Sequence, residues 1–188
     1  TQDRTLFPYT TLFRSVEAST GSLGHGLAIG LGMALGARLR GEAWKTFVLL
    51  GDGECDEGAV WESAMAAAHF KATNLITVVD RNHCMIDGPT EDVMALEPFA
   101  DKWRAFGFEV IEADGHDFDA LASAIERAMA ATDKPVVIIA DTIKGCGIDF
   151  IAGDYKWHYG GFDAEKLAKA KESLGLYHES KLAKGAER

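Results

Sequence analysis

Four short segments constrain this chain more than anything else in it: TFVLL (Thr46–Leu50), LITVVD (Leu75–Asp80), FEVIEAD (Phe108–Asp114) and PVVIIAD (Pro135–Asp141). They are rich in Val, Ile and Leu, and they read as buried strands rather than strands with one wet face. Around them lie stretches of helical length, several rich in alanine: about Gly24 to Arg40, about Gly58 to Lys71, Phe118–Ala131, and Asp163–Ser173 with the charged tail YHESKLAKGAER behind it. Strands alternating with helices of about 10–15 residues mean βαβ crossovers. The expected fold is therefore α/β, a doubly wound, mostly parallel sheet with helices on both faces. In such sheets ligands sit beyond the carboxyl ends of the strands, so the residues that follow each run are the ones to read for chemistry.

Composition narrows the function classes. The chain has 188 residues, 47% of them apolar and 26% charged, which suits one globular domain with a sizeable core. A net charge of −10 argues against an electrostatic nucleic-acid binder, which needs clustered Lys and Arg to displace counterions. No apolar run approaches the roughly 20 residues that span a bilayer, and no basic start leads into the apolar core of a secretion signal. Cys55, Cys84 and Cys146 are odd in number and lack CxxC spacing. That argues against a disulfide framework or zinc knuckle and for a reducing, cytoplasmic home.

The first run ends in Gly51-Asp52-Gly53-Glu54 and the second in Asp80-Arg81-Asn82-His83-Cys84. Thirty residues separate Asp52 from Asn82, one βαβ unit, so both fall on the same edge of the sheet. A carboxylate, an amide oxygen and a main-chain carbonyl just beyond Asn82 make a hard site of oxygen donors. Magnesium suits it, since it completes its shell with water and ligand phosphates. The glycines flanking Asp52 are expected to let a diphosphate approach the main chain closely. The glycine-rich stretch from Gly24 reads as a helix buried on most sides, with small residues permitting close approach. It is not a dinucleotide fingerprint: no clean strand precedes Gly21, and the glycines at 24, 26, 30, 32 and 36 do not spell GxGxxG.

GDG followed some 30 residues later by Asn resembles the thiamin-diphosphate signature. TGSLGHGL (Thr20–Leu27), GDGECDEGAVWE (Gly51–Glu62), NHCMIDG (Asn82–Gly88), DTIKGCGI (Asp141–Ile148) and KWHYGG (Lys156–Gly161) narrow the resemblance to the diphosphate-binding domain of transketolases, over about Val16 to Gly161. The resemblance implies that Asp52, Asn82 and the carbonyl of Cys84 hold magnesium or calcium, and that Gly53 and Asn82 contact the diphosphate. Gly21, Ser22 and Leu23 would lie along the cofactor, and Ile86 would form an apolar wedge near the thiazolium. Lys144 and His158 would reach the diphosphate end, with His158 the residue of this chain implied in catalysis. A lysine suits such a place as a mobile cation, and a histidine can donate to phosphate oxygens. Glu57 and Glu62 match an acidic pair that the family places where its chains meet, although helical spacing makes them equally plausible as solvated carboxylates favoured by a helix dipole. Among the remaining histidines, His25 and His83 are marked only because each lies inside a matched motif.

The family's activity is transfer of a two-carbon ketol unit between sugar phosphates, and its activating glutamate belongs to a second, pyrimidine-binding domain. The resemblance implies a partner, a separate pyrimidine-binding subunit, in a dimer of heterodimers. Other thiamin-diphosphate enzymes (deoxyxylulose-phosphate synthases, 2-oxo-acid dehydrogenase components) and a non-catalytic binding module are the alternatives; GSLGHGL with KWHYGG favours transketolase. The family domain is expected over residues 16–175, incomplete at its amino end, with 176–188 a charged tail. Thr5–Ser15, TLFPYTTLFRS, resembles the translation of a common sequencing adapter and is expected to be non-native, with Thr1–Arg4 of uncertain origin. Alone, the chain is expected to be inactive.

Overall fold

The computed structural model describes residues 16–186, with side chains described through residue 183. The expectations about Thr1–Arg4 and Thr5–Ser15 lie outside the described residues. Along the chain run α1 (His25–Leu39), β1 (Thr46–Gly51), α2 (Gly58–His69), β2 (Leu75–Arg81), α3 (Thr90–Val93), α4 (Phe99–Ala105), β3 (Glu109–Asp114), α5 (Phe118–Ala130), β4 (Val136–Asp141) and α6 (Ala164–Ala186). Single 3-10 turns occupy Gly53–Asp56 and Tyr155–His158.

The strands form one sheet in the order β1-β2-β4-β3, and every neighbouring pair is parallel. The register sets the carboxyl ends level: Gly51 pairs with Asp80, Arg81 with Asp141, and Asp114 with Asp141. The loops after all four strands therefore leave from one edge.

Alternation along the strands sorts their side chains onto two faces. Val48, Leu50, Leu75, Val79, Val137 and Ile139 are buried with Leu27 and Leu31 of α1, Val60 and Ala64 of α2, and Phe99 and Trp103 of α4. Ile76, Ile111, Val136 and Ile138 pack with Ala124 and Ala128 of α5 on the other face. Helices on both faces are what the expected doubly wound fold requires. Cover is uneven: on the α5 side of β1, Phe47 is 50% and Leu49 72% exposed. The first crossover is tight, because a Cβ on Gly30 would stand 2.2 Å from Val48 Cγ2. The lack of a side chain at Gly30 is what brings α1 onto β1.

Two expectations change, and one helix appears that the sequence did not announce. The glycine-rich helix is not buried on most sides: it buries Leu27, Gly30, Leu31, Ala34 and Ala37, while Ala28, Ile29, Gly32 and Met33 are exposed. The segment before β3 carries α4, which docks Phe99 and Trp103, four residues apart on one helical face, into the core. The tail beginning at Tyr177 is helical, because α6 continues through Ala186. Its first half is anchored where Asp149 N–H donates to Ser173 Oγ at 2.9 Å and Leu174 packs over Gly147. The Lys- and Glu-rich remainder extends the helix with good helix formers.

Candidate functional site

The turn after β1 begins at Asp52, which is 1% exposed. Its Oδ1 accepts the Gly53 N–H at 2.8 Å, and its Oδ2 accepts both the His83 N–H at 2.7 Å and Arg81 Nη1 at 3.0 Å. The loop after β2 is thus wrapped round the carboxylate of the loop after β1. His83 makes the wrap possible by taking a left-handed backbone, φ 60°, rare for a residue with a side chain. In that loop Asn82 Oδ1 accepts the Cys84 N–H at 3.1 Å, while Asn82 Nδ2 donates to Asp80 Oδ2 at 3.2 Å. Asp80 is held in turn from the far loop, its Oδ1 accepting the hydroxyl of Thr142.

Arg81 fastens this arrangement to the rest of the molecule. Only 3% exposed, it donates from Nη1 to Asp52 and to Thr90 Oγ1 at 2.7 Å. From Nη2 it donates to Glu91 at 2.8 Å and Glu97 at 3.0 Å. Burial works against its charge, but the hydrogen bonds to Glu97, Glu91 and Asp52 outweigh that and raise its pKa. Glu97 is held below the usual carboxylate range by the Phe99 N–H, with burial opposing and Arg81 assisting.

Glu54 performs a similar service on the other side of the turn. Its carboxylate accepts the N–H of Gly24 at 2.9 Å and of Gly51 at 3.1 Å, tying the TGSLGHG segment to the end of β1. In that segment Ser22 Oγ lies 3.1 Å from His25 Nδ1, which is also 3.1 Å from the Leu23 carbonyl. The carbonyl can only accept, so Nδ1 carries the proton. Across the edge, His83 Nε2 meets Asp141 at 2.7 Å, and His116 Nε2 accepts the Ile143 N–H at 2.8 Å. Both histidines brace the loop that carries Lys144. Lys144 Nζ is 3.4 Å from His158 Nδ1; an ammonium can only donate, so the imidazole proton sits on Nε2. Burial, then the Lys144 charge, lower the His158 pKa from 6.5.

The donor set fits a hard cation. Asp52 Oδ1 receives a single N–H and keeps a lone pair, and the 82–84 loop that carries the amide and carbonyl oxygens is bonded directly to that side chain. Among the described residues no group of three His, Cys, Asp or Glu side chains is placed to hold a metal ion; the candidate donors are one carboxylate, one amide oxygen and one carbonyl.

The residues singled out in the sequence divide by how they are held. Asp52, Gly53, Asn82 and Cys84 form one bonded cluster. At Gly53 a Cβ would sit 2.9 Å from Met85 Cβ, so its missing side chain makes room for the segment that follows the 82–84 loop. Lys144 and His158 pair with each other and stand near the cluster, since the Lys144 charge opposes the burial that raises the Cys84 thiol pKa. Gly21, Ser22, Leu23 and Ile86 are exposed at the same edge, Leu23 by 56% and Ile86 by 42%. Glu57 sits at the amino end of α2 against Gly24 without capping the helix by its side chain. Glu62 lies exposed on α2. The thiol of Cys55 is fully buried and its pKa is pushed far up by burial, in keeping with a structural role.

Sequence reading missed Arg81, Glu54, Asp80 and Thr142. A charged residue directly after a strand reads as solvated, and only the third dimension turns Arg81 inward. A cleft of about 540 Å³ opens beside the cluster, lined by Arg81, His83, Glu97, Phe99, Glu112 and Asp141 among others. It adjoins the 82–84 loop but does not include the candidate cofactor residues.

A parallel α/β sheet with oxygen donors and a Lys–His pair gathered at its carboxyl edge is the architecture of a diphosphate-cofactor domain. The family model for the transketolase thiamine diphosphate binding domain matches residues 6–184, and the chain belongs to the transketolase family. It is 41% identical over 155 residues to one of the subunits of apulose-4-phosphate transketolase from Phocaeicola vulgatus, covering 82% of this chain and 55% of that protein. It is 43% identical over 143 residues to a 6-deoxy-6-sulfo-D-fructose transketolase subunit of a Clostridium species, covering 76% and 52%. The chain spans about half the length of these curated relatives. The crystal structure of transketolase from Campylobacter jejuni superposes with a TM-score of 0.79 at 33% identity, over 85% of this chain and 26% of that one.

Proposed function

We propose that the chain is the diphosphate-binding part of a two-chain transketolase, moving a two-carbon ketol unit between sugar phosphates together with a pyrimidine-binding subunit. Support for the two-chain form comes from relatives that are themselves named as subunits: apulose-4-phosphate transketolase subunits from two bacteria, at 41% and 42% identity. The observation that carries the site is the wrap of the 82–84 loop round Asp52, with Oδ1 left one lone pair. In this reading Asp52, Asn82 and the Cys84 carbonyl hold magnesium, or calcium in its place. Lys144 and the Nε2–H of His158 bind diphosphate oxygens. Gly21, Ser22, Leu23 and Ile86 line the cofactor, and Gly53 lies under the diphosphate.

Bound thiamin diphosphate supplies the electron sink that ketol transfer requires. This chain's own work is positional. The Asp52 cluster fixes the metal-diphosphate end, and burial, then the Lys144 charge, hold His158 neutral until the diphosphate arrives. The exposed apolar side chains of Leu23 and Ile86 exclude water once covered. The partner chain supplies the activating glutamate, with Glu57 and Glu62 at the shared interface and the assembly a dimer of heterodimers. Among the described residues no helix is long and apolar enough to cross a membrane. All three cysteines are free, which suits the cytoplasm.

Calorimetry with magnesium and thiamin diphosphate tests the reading. Binding that weakens on chelation of the metal and strengthens when a pyrimidine-binding subunit is added is the expected result. No binding in either case contradicts it.

A further inference from the structure

We propose that Arg81 is a positioning residue for the metal: it holds Asp52 by one carboxylate oxygen so that the other faces the cation. The proposal rests on the reading of Asp52 as a metal ligand. A carboxylate free to turn offers a metal either oxygen, in many orientations. Here Oδ2 is filled by two donors, Arg81 Nη1 at 3.0 Å and the His83 N–H at 2.7 Å, which use both of its lone pairs. Oδ1 has only the Gly53 N–H. Rotation is blocked on one side, and a single lone pair is left to point outward.

The guanidinium can do this because it is itself immobile. It makes four hydrogen bonds to partners from three segments: Asp52 after β1, Thr90 and Glu91 in α3, and Glu97 before α4. Its carbon lies 5.6 Å over the Phe99 ring, which adds a cation–π contact. Glu91 and Glu97 do a second thing. A bare cation 3.0 Å from Asp52 would repel a divalent metal bound at the same carboxylate, but two further carboxylates on Nη2 offset that charge. The planar fork, filled on both amino groups, is something lysine cannot reproduce. Outer partners that orient a metal ligand are commonly worth about 10–100-fold in metal affinity. Arg81 meets that description from inside the protein, with 3% exposure.

The test is an electron-paramagnetic-resonance titration of Mn2+ in the presence of thiamin diphosphate, on the full chain and on Arg81→Met, Arg81→Lys and the double variant Glu91→Gln with Glu97→Gln. Arg81→Met is expected to weaken Mn2+ binding at least about tenfold, and Arg81→Lys to recover only part of it. The glutamine pair is expected to weaken binding about threefold, because it loosens the guanidinium without touching Asp52. Should Arg81→Met fail to fold, the glutamine pair, altered only at side chains that reach solvent, decides the matter by the same readout. Folded variants that bind Mn2+ as tightly as the wild type overturn the proposal, even if they melt earlier, since a purely structural arginine would cost stability alone. A wild-type chain that binds no Mn2+ with thiamin diphosphate overturns the metal reading of Asp52, and this proposal with it.

Discussion

The two halves of the site are built differently. Around Asp52 the protein supplies nearly every hydrogen bond itself: Arg81 with four acceptors, His83 and Gly53 donating to the carboxylate, Glu54 pinning Gly24 and Gly51. Across the edge Lys144 and His158 have each other at 3.4 Å, and Leu23, Ile86 and Ile143 face solvent with 42–56% of their surface exposed. The first half is finished before any ligand arrives. The second half has polar groups and apolar surface waiting for something to cover them. Preorganisation costs folding energy once and spares it at binding, so the buried half is suited to holding a metal in one geometry. The open half is suited to a face that cofactor and partner complete together.

Mutations should separate the halves. The largest effect is expected from Asp52→Asn, which removes the only carboxylate among the proposed ligands and leaves the buried Arg81 short of a charged partner. Metal-dependent binding of thiamin diphosphate should fall by more than about 100-fold, and denaturant unfolding should show a loss of about 3–5 kcal/mol. Glu54→Ala strands two N–H groups in the same half, and urea titration should register about 2–3 kcal/mol. In the open half the balance should invert. Lys144→Met is expected to lower thiamin diphosphate affinity about tenfold, one strong charge-assisted contact, while changing stability by less than about 0.5 kcal/mol. A Lys144 variant that unfolds the chain, or an Asp52 variant that leaves its stability intact, would erase the distinction.

A finer test uses protons. Burial and Lys144 hold the His158 pKa below its ordinary 6.5, so this side chain is neutral at pH 7. Because the folded chain resists a proton that the unfolded chain accepts, the group's contribution to stability falls as pH drops below about 6.5. An arriving diphosphate favours the charged form and moves the pKa back up. Calorimetry near pH 6, in buffers of different ionisation heat, should therefore detect proton uptake on binding that His158→Gln abolishes. The smallest expected effect is in thiol labelling: Cys146, part exposed, should react ahead of Cys84, and Cys55, with no exposed surface and a raised pKa, last.

The same contrast explains what could be read from the sequence. Strands and their order along the chain were legible because runs such as VVIIAD suit little else, and the register then levels their ends without further information. Asp52 and Asn82 were legible because spacing places them on one edge, and Cys84 through the resemblance to transketolases. What joins them was not. Arg81 looks like any charged residue after a strand, Glu54 like a solvated acid in a turn, and His83 gave no hint of its left-handed backbone. Their roles depend on neighbours from distant segments: Thr90 to Glu97 for Arg81, Gly24 for Glu54. The helix α4 was hidden behind Pro98, and α6 behind a charge run that reads as a tail yet continues a helix.

The most direct test of the central claim, that the loops after β1 and β2 form a preorganised metal-diphosphate seat, is a crystal structure of the chain with Mn2+ and thiamin diphosphate, phased to show the manganese anomalous peak. One peak is expected, at roughly 2.0–2.3 Å from Asp52 Oδ1, Asn82 Oδ1 and the Cys84 carbonyl, with Arg81 still bonded to Oδ2. A peak at Glu91 and Glu97 instead, or an Asp52 side chain turned away from the bound diphosphate, would contradict it.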